Sequence, residues 1–196
     1  MYGVQLTNSR GISLINPGEV VPQFHSKYTV SGGVQVFNTG ISSSLQAPLA
    51  FTRGQVLARV KASGGAWVVE TDYYSGGGEI FVFSQPTLQP GKYGVQVFKA
   101  DGQLAYQSNK KALRVLDVLT LSSPPTAVLA RYDRKIAVNA KFAGLVGNPQ
   151  LSETRFVWYL AHTDNTVTSR IVNLVRMVRG TAFPPASLVV IDVTGL

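Results

Sequence analysis

The chain has 196 residues, of which 45% are hydrophobic and 14% charged, a composition that is typical of folded proteins and excludes intrinsic disorder. It contains no cysteine, which excludes disulfide frameworks, thiolate nucleophiles and metal sites with cysteine ligands. The formal net charge is +8, but no run of basic residues is longer than two, so the charge does not predict a nucleic-acid partner.

Along the chain, apolar residues alternate with polar ones, and β-branched or aromatic runs lie between Gly, Pro, Asn and Ser, which predicts β-strands rather than helices. No stretch approaches the roughly 18 apolar residues that a membrane-spanning helix needs, and no secretory signal is recognised at the start. We therefore expect synthesis in the cytoplasm and no membrane span. Eleven strands are predicted in the first part of the chain, at residues 2–7, 11–15, 19–24, 28–30, 33–38, 55–61, 66–72, 79–83, 91–99, 103–107 and 112–121.

A break at Ser122-Ser123-Pro124-Pro125 follows these strands, and two prolines in succession cannot donate hydrogen bonds to a β-ladder. The break predicts a β-sandwich-like domain at 1–123 and a second β region at 124–196, either separate or part of the same domain. Further strands are predicted at residues 127–132, 136–142, 154–162, 168–177 and 187–193. Residues 169–178 also show helical spacing, but we favour a strand. The predicted fold is all-β, with antiparallel sheets packed as a sandwich.

A short motif occurs twice in the first region. Tyr-Gly-Val-Gln at residues 2–5 returns at residues 93–96, and each copy is followed by a glycine at the same offset, Gly11 and Gly102. Asp101-Gly102 is a strong signal for a two-residue hairpin turn. The pattern predicts a repeated hairpin, which arises either from internal duplication or from two segments paired side by side in one sheet. A partial third copy occupies residues 33–38.

Histidine-based chemistry has little support in the sequence. The two histidines, His25 and His162, stand on different predicted strands without a second histidine at ligand spacing, so no metal site is predicted. His162 lies close to Asp164, an arrangement compatible with a general base oriented by a carboxylate. A polar strand end entering a turn is the favoured interpretation.

Carboxylates offer the other route to catalysis. Glu70, Asp72 and Glu79 surround a glycine-rich loop, and a glycosidase would need two such groups facing each other across a cleft. Glu70 and Asp72, however, lie two residues apart on one strand, as ordinary side chains of one face do. We therefore expect no catalytic residue and no cofactor, and predict that the protein is not an enzyme.

Aromatic residues near the loop at residues 75–78 give the best candidate for a ligand or receptor surface. They are Trp67, Tyr73 and Tyr74, and exposed rings of this kind stack on the apolar faces of sugars. The alternative is that Trp67 belongs to the core and only the tyrosines are exposed.

Arginines within apolar strands are predicted to form a subunit interface, because Arg is enriched where protein surfaces are buried together. The candidates are Arg59, Arg155 and Arg176. Trp158 is added to them, since Trp158 and Tyr159 point to opposite faces of their strand and one of the two is free for an interface.

Two longer motifs resemble small proteins encoded among the tail genes of tailed bacteriophages. They are Met-Tyr-Gly-Val-Gln-Leu-x-Asn-x-x-Gly at residues 1–11 and Tyr-Gly-Val-Gln-Val-Phe-x-x-x-Gly-x-Leu-x-Tyr-x-Ser at residues 93–108, followed by Leu113-Arg114-Val115. The resemblance covers residues 1–11 and 93–121. It implies a virion component at or near the tail tip, assembled in the host cytoplasm, without an assigned activity or catalytic residues.

The leading expectation is therefore a structural tail protein that binds other tail proteins, as a homo-oligomer or ring. One alternative is a receptor- or carbohydrate-binding module that recognises a host surface glycan through Trp67, Tyr73 and Tyr74. Another is a small cell-wall hydrolase that depends on Glu70, Asp72 or Glu79.

Overall fold

In the computed structural model, the described part of the chain consists of β-strands and turns and contains no helix. This finding confirms the predicted all-β class. Across these same residues, no helix is long and apolar enough to span a membrane. The structure describes residues 6–7, 13–15, 20–72, 75–87, 94–120, 128–139, 142–148, 153–161, 164–174 and 187–196.

Seventeen strands follow one another in these residues. The first nine are β1 (Leu6–Thr7), β2 (Ser13–Ile15), β3 (Gln23–Val30), β4 (Val36–Ser42), β5 (Leu49–Gly54), β6 (Ala58–Ser63), β7 (Ala66–Thr71), β8 (Gly78–Ser84) and β9 (Gln96–Phe98). The other eight are β10 (Leu104–Gln107), β11 (Val115–Thr120), β12 (Val128–Arg131), β13 (Ile136–Val138), β14 (Phe142–Asn148), β15 (Glu153–Ala161), β16 (Thr166–Leu174) and β17 (Ser187–Asp192). The strand predicted at 168–177 is confirmed as far as Leu174, whereas residues 175–177 lie outside the described part.

Three observed strands, β3, β5 and β14, differ from the predicted ones. The predicted strands at 19–24 and 28–30 belong to one longer strand, β3. Its middle residues His25, Ser26 and Lys27 are all polar, so the sequence pattern shows two short strands instead of one. A register shift between Phe24 and Ser26 allows the strand to continue through this segment. Strands β5 and β14 were not predicted at all.

The largest sheet has six strands in the order β11-β17-β13-β5-β8-β3, all paired antiparallel. Strands β3, β5, β8 and β11 precede Pro124-Pro125, and β13 and β17 follow it. The hydrogen-bonded ladder therefore joins the two predicted regions within one sheet. The other sheets are β4-β7-β6, β12-β16-β15-β14 and the two-stranded pairs β1-β2 and β9-β10.

One face of the six-stranded sheet packs against two smaller sheets. Its residues Ile80 and Val82 share a buried cluster with Ile41 of β4 and Val69 of β7. Further along the same face, a second buried cluster contains Val167 of β16 and is otherwise formed by residues of β13 and β17. The strand register shows that both clusters lie on the same face of the sheet. Val138 pairs with Thr52, Thr52 pairs with Ile80, and residues paired across neighbouring strands point to one face. The arrangement is a layered β-sandwich, as predicted.

The opposite face of the six-stranded sheet carries an aromatic core. Phe81 and Phe83 of β8 alternate with Ile80 and Val82, so they point to this second face. The ring of Phe83 meets the ring of Phe51 edge to face, with 5.8 Å between centroids. Because both faces of β8 are buried, its four central residues form an uninterrupted apolar run rather than an alternating one.

Both predicted hairpins are present. Strand β1 pairs antiparallel with β2, and β9 pairs antiparallel with β10, in two separate sheets. Side-by-side pairing of the two copies in one sheet was therefore wrong for the described strands. The turn after β9 also differs from the two-residue prediction. Lys99 donates its N–H to the carbonyl of Gln103, leaving three residues between them, and Gly102 takes the left-handed φ of 83° that such loops require.

Candidate functional site

Trp67 lies on β7 and is half-buried. Its ring packs against the buried cluster between the six-stranded sheet and sheet β4-β7-β6. The indole Nε1–H donates to the carbonyl oxygen of Leu45 at 2.9 Å, which satisfies the polar atom of the ring. Tyr73 and Tyr74, the other two residues of the predicted recognition surface, lie outside the described residues.

Arg59, predicted as an interface residue, lies on β6 opposite Glu70 of β7. Its guanidinium is bonded to one oxygen of Glu70, while the ammonium of Lys61 is bonded to the other. The hydrogen bonds from Lys61 and Arg59 lower the pKa of Glu70 below its ordinary value. A carboxylate that accepts hydrogen bonds from two cations stays ionised at neutral pH. Glu70 is therefore poorly suited to act as a general acid, which must carry a proton.

The remaining interface candidates fall in the second region of the chain. Arg155 and Trp158 lie on β15, where they pair with Asn173 and Arg170 of β16. Their side chains are outside the described part of the structure. Arg176 lies outside the described residues, as does His162.

Glu79 is the centre of the densest charge cluster in the described residues. It lies near the start of β8, with Thr29 opposite it on β3 and Arg53 opposite it on β5. Its carboxylate meets three cations, with N···O distances of 2.8 Å to Lys135, 3.5 Å to Lys27 and 3.9 Å to Arg53. One carboxylate thus holds together strands β3, β5 and β8 and the segment before β13.

Arg53 is the most buried of these cations, with 9% of its side chain exposed. One guanidinium nitrogen, Nη1, donates to the carbonyl of Ile136 at 3.2 Å and to Oδ1 of Asn165 at 3.0 Å. Burial lowers the pKa of Arg53, and the charges of Glu79 and Asp164 act in the opposite direction. Because Asn165 belongs to the turn between β15 and β16, Arg53 links the six-stranded sheet to the neighbouring four-stranded one.

Sequence reasoning missed this cluster because residues 27, 53, 79 and 135 are far apart in the chain. The available signal was the charged residue within the apolar run Leu-Ala-Phe-Thr-Arg at residues 49–53. An arginine in such a run needs hydrogen-bonding partners if it is buried. Among these four positions, only Glu79 was a candidate, and it was weighed as a catalytic acid.

The two lysines of the cluster also cover the aromatic core. The Nζ atom of Lys135 lies 5.4 Å from the centroid of the Phe81 ring, and the Nζ atom of Lys27 lies 6.0 Å from it. Burial alone would raise the pKa of Glu79, but the hydrogen bond and charge of Lys135, together with Lys27, bring it below its ordinary value. The arrangement therefore favours the ionised form of Glu79 at neutral pH.

Stability should depend on this ionised carboxylate in acid. Because the folded-state pKa of Glu79 is below its ordinary value of 4.5, the unfolded chain takes up this proton first. We expect the stabilisation to be complete above about pH 5 and to be lost as the pH falls through the lowered folded-state value. Urea denaturation between neutral pH and about pH 3 should show the unfolding free energy falling less steeply in Glu79→Gln than in the parent chain. An identical slope in the two proteins would contradict this role for Glu79.

The other residues that were considered for catalysis or metal binding, and not predicted as sites, have structural contacts. His25 donates from Nε2 to the carbonyl oxygen of Thr39 at 2.7 Å. Asp164 accepts from the N–H of Thr166 at 3.2 Å and from its hydroxyl at 2.6 Å, so it caps the turn into β16. Asp72 donates its main-chain N–H to the carbonyl of Leu57 at 2.8 Å.

Within the described residues, no group of three or more His, Asp or Glu side chains is placed to hold a metal ion. The carboxylates Glu70 and Glu79 are each surrounded by cations from neighbouring strands. What each of these carboxylates forms is a set of ion pairs between neighbouring strands of one sheet. Comparison with models of known protein families, with curated proteins and with solved structures finds no match for the chain.

Proposed function

We propose that the chain is a structural protein of a bacteriophage tail, at or near its tip, that acts through contacts with other tail subunits. The Tyr-Gly-Val-Gln motifs and their resemblance to small phage tail proteins support this assignment. A disulfide-free β-sandwich also suits a protein that is assembled in the cytoplasm and must persist outside the cell.

The structural observation that carries the proposal is the apolar character of the sheet edges. Strands β4, β11 and β12 each lie at the end of a sheet. All three expose aliphatic side chains at or beside the edge, which are Val34, Val36, Val115, Val118, Val128 and Leu129, with exposures from 36% to 60%. Edge strands of monomeric proteins are usually protected by charge or proline. Exposed valines at several edges suit a protein whose edges are covered by neighbouring subunits.

Localisation in the particle tests the proposal. Gold-labelled antibody raised against the purified chain should label the distal end of the tail in electron micrographs of the phage that encodes it. Pre-immune serum and a phage without this gene are the controls. Because an assembled subunit can hide its epitopes, disrupted particles should also be examined by immunoblot. Absence of the chain from purified, disrupted particles would contradict the proposal.

A further inference from the structure

Basic side chains that are far apart in the sequence lie close together around residues 192–196, which comprise the last residue of β17 and the four residues after it. The sheet order places β11 and β13 on either side of β17, so the segments before these two strands both run beside its end. Strand β3 contributes a further lysine. The five side chains that form this basic patch are Lys27, Lys111, Arg114, Arg134 and Lys135.

Asp192 anchors the two arginines of the basic patch. Its Oδ2 atom lies 3.3 Å from Nη1 of Arg114 and 3.7 Å from Nη1 of Arg134, and its Oδ1 accepts the N–H of Thr194 at 2.9 Å. Burial alone would raise the pKa of Asp192, but the hydrogen bonds from Thr194 and the two arginine charges bring it below its ordinary value. The carboxylate therefore fixes both guanidinium groups at the end of β17.

Main-chain oxygens hold two of the lysines. Lys27 donates to the carbonyl of Leu196 at 3.2 Å, and Lys111 donates to the carbonyl of Gly195. The third lysine, Lys135, donates its main-chain N–H to the hydroxyl of Thr194 at 3.2 Å. The ammonium groups of Lys27 and Lys111 therefore have defined hydrogen-bond partners beside the end of β17.

Two acidic partners of the patch, Asp192 and Glu79, lie deeper than its most exposed cations, whereas Asp133 beside Arg134 is 80% exposed. Side-chain exposure is 11% for Asp192 and 27% for Glu79, compared with 65% for Arg114 and 36% for Lys27. An incoming molecule therefore meets the guanidinium and ammonium groups first. Although the underlying pairs reduce the net charge of the region, its surface around Lys111 and Arg114 is positive.

We infer that the basic patch receives a carboxylate-rich surface of a neighbouring protein, which is another tail subunit if the proposed function holds. Arginine and lysine donors pointing outward from fixed positions complement carboxylates of Asp and Glu side chains. Val115 follows Arg114 directly, on the edge strand β11, and is 50% exposed. It offers an apolar contact beside the charged ones.

The surroundings of the patch favour a protein partner over a nucleic acid. The aromatic side chains next to the patch are not available for stacking on bases. Phe81 is fully buried beneath the lysines, and the hydroxyl of Tyr132 is bonded to Asp117 at 3.0 Å.

Fluorescence anisotropy with a labelled oligoglutamate peptide tests the inference directly. The full chain should bind the peptide at low salt, and binding should weaken as the ionic strength rises towards about 0.15 M. The double substitution Lys111→Gln with Arg114→Gln should weaken binding about fivefold, because it removes two exposed charge contacts. Both side chains lie on the surface, and thermal unfolding by circular dichroism will verify that the variant folds.

The matched control removes the same amount of charge elsewhere. Lys61→Gln with Lys99→Gln also lowers the net charge by two, and this variant should bind the peptide within about twofold of the parent chain. Equal weakening by the two variants would overturn the inference, since net charge alone would then explain binding. Tighter, patch-dependent binding of a DNA duplex carrying the same formal charge would also overturn it, in favour of a nucleic-acid site. Neither outcome depends on whether the chain is present in tail particles, so the two proposals can fail separately.

Discussion

Replacement of Gly78 by alanine is expected to destabilise the chain by about 3 kcal/mol or more, because the new methyl group has no room. A Cβ atom at this position would lie 2.2 Å from the carbonyl oxygen of Arg53 and 2.6 Å from Cγ2 of Val56. It would also lie 3.1 Å from Cα of Gly54, the residue paired with Gly78 across β5 and β8. Two of these three contacts are with backbone atoms, so the strands themselves would have to separate.

Gly77 provides the control for this substitution. A Cβ atom there would meet only the carbonyl oxygen of Val30, at the ordinary contact distance of 3.7 Å. Gly77→Ala should therefore change the unfolding free energy by less than about 1 kcal/mol. Urea denaturation of both variants, followed by tryptophan fluorescence, measures the difference. Similar denaturation midpoints would contradict the close approach of β5 and β8 at Gly78.

The second large effect is expected at Arg53. Truncation to alanine should cost about 3 kcal/mol, because it leaves buried acceptors without their donor and removes a cation from the Glu79 cluster. The acceptors are the carbonyl of Ile136 and the side-chain oxygen of Asn165. Packing between the six-stranded sheet and the turn of β15 and β16 would weaken at the same time.

Arg59 is a matched control, since both arginines pair with a glutamate directly opposite on the neighbouring strand. The side chain of Arg59 is 72% exposed, compared with 9% for Arg53. Arg59→Ala should therefore lower the unfolding free energy much less than Arg53→Ala does. Equal losses in the two variants, measured by urea denaturation, would show that burial of Arg53 adds nothing to its ion pair.

The sequence predicts strands well where β-branched and aromatic residues follow one another without interruption, and less well where proline, glycine or charged residues interrupt them. Strands β7 and β8 follow their predicted ranges closely, because each contains such an uninterrupted run. Strand β5 was missed because Pro48 precedes it and its last four residues are all buried. In β14, Gly144 and Gly147 dilute the apolar pattern on which strand prediction depends.

Neither charge cluster was predictable from spacing. The basic residues are scattered in the sequence, and that scatter argued against a nucleic-acid partner. The fold nevertheless brings several of them together, because the order β11-β17-β13 places Arg114 and Arg134 beside the same carboxylate. Strand order is set by the packing of the whole sheet, which no local pattern of residues specifies.

The position of β17 within the sheet has a consequence for how the chain is made. Among the described strands, β17 is the last to leave the ribosome, yet it lies between β11 and β13 and joins them. Until β17 arrives, β11 has no partner in this sheet, and the apolar residues that it covers face water. The native sheet therefore closes only after synthesis has passed residue 192, and its non-local strand pairs make that closure slow. During this interval the unfinished chain is exposed to aggregation, so a chaperone or an early binding partner would raise its yield.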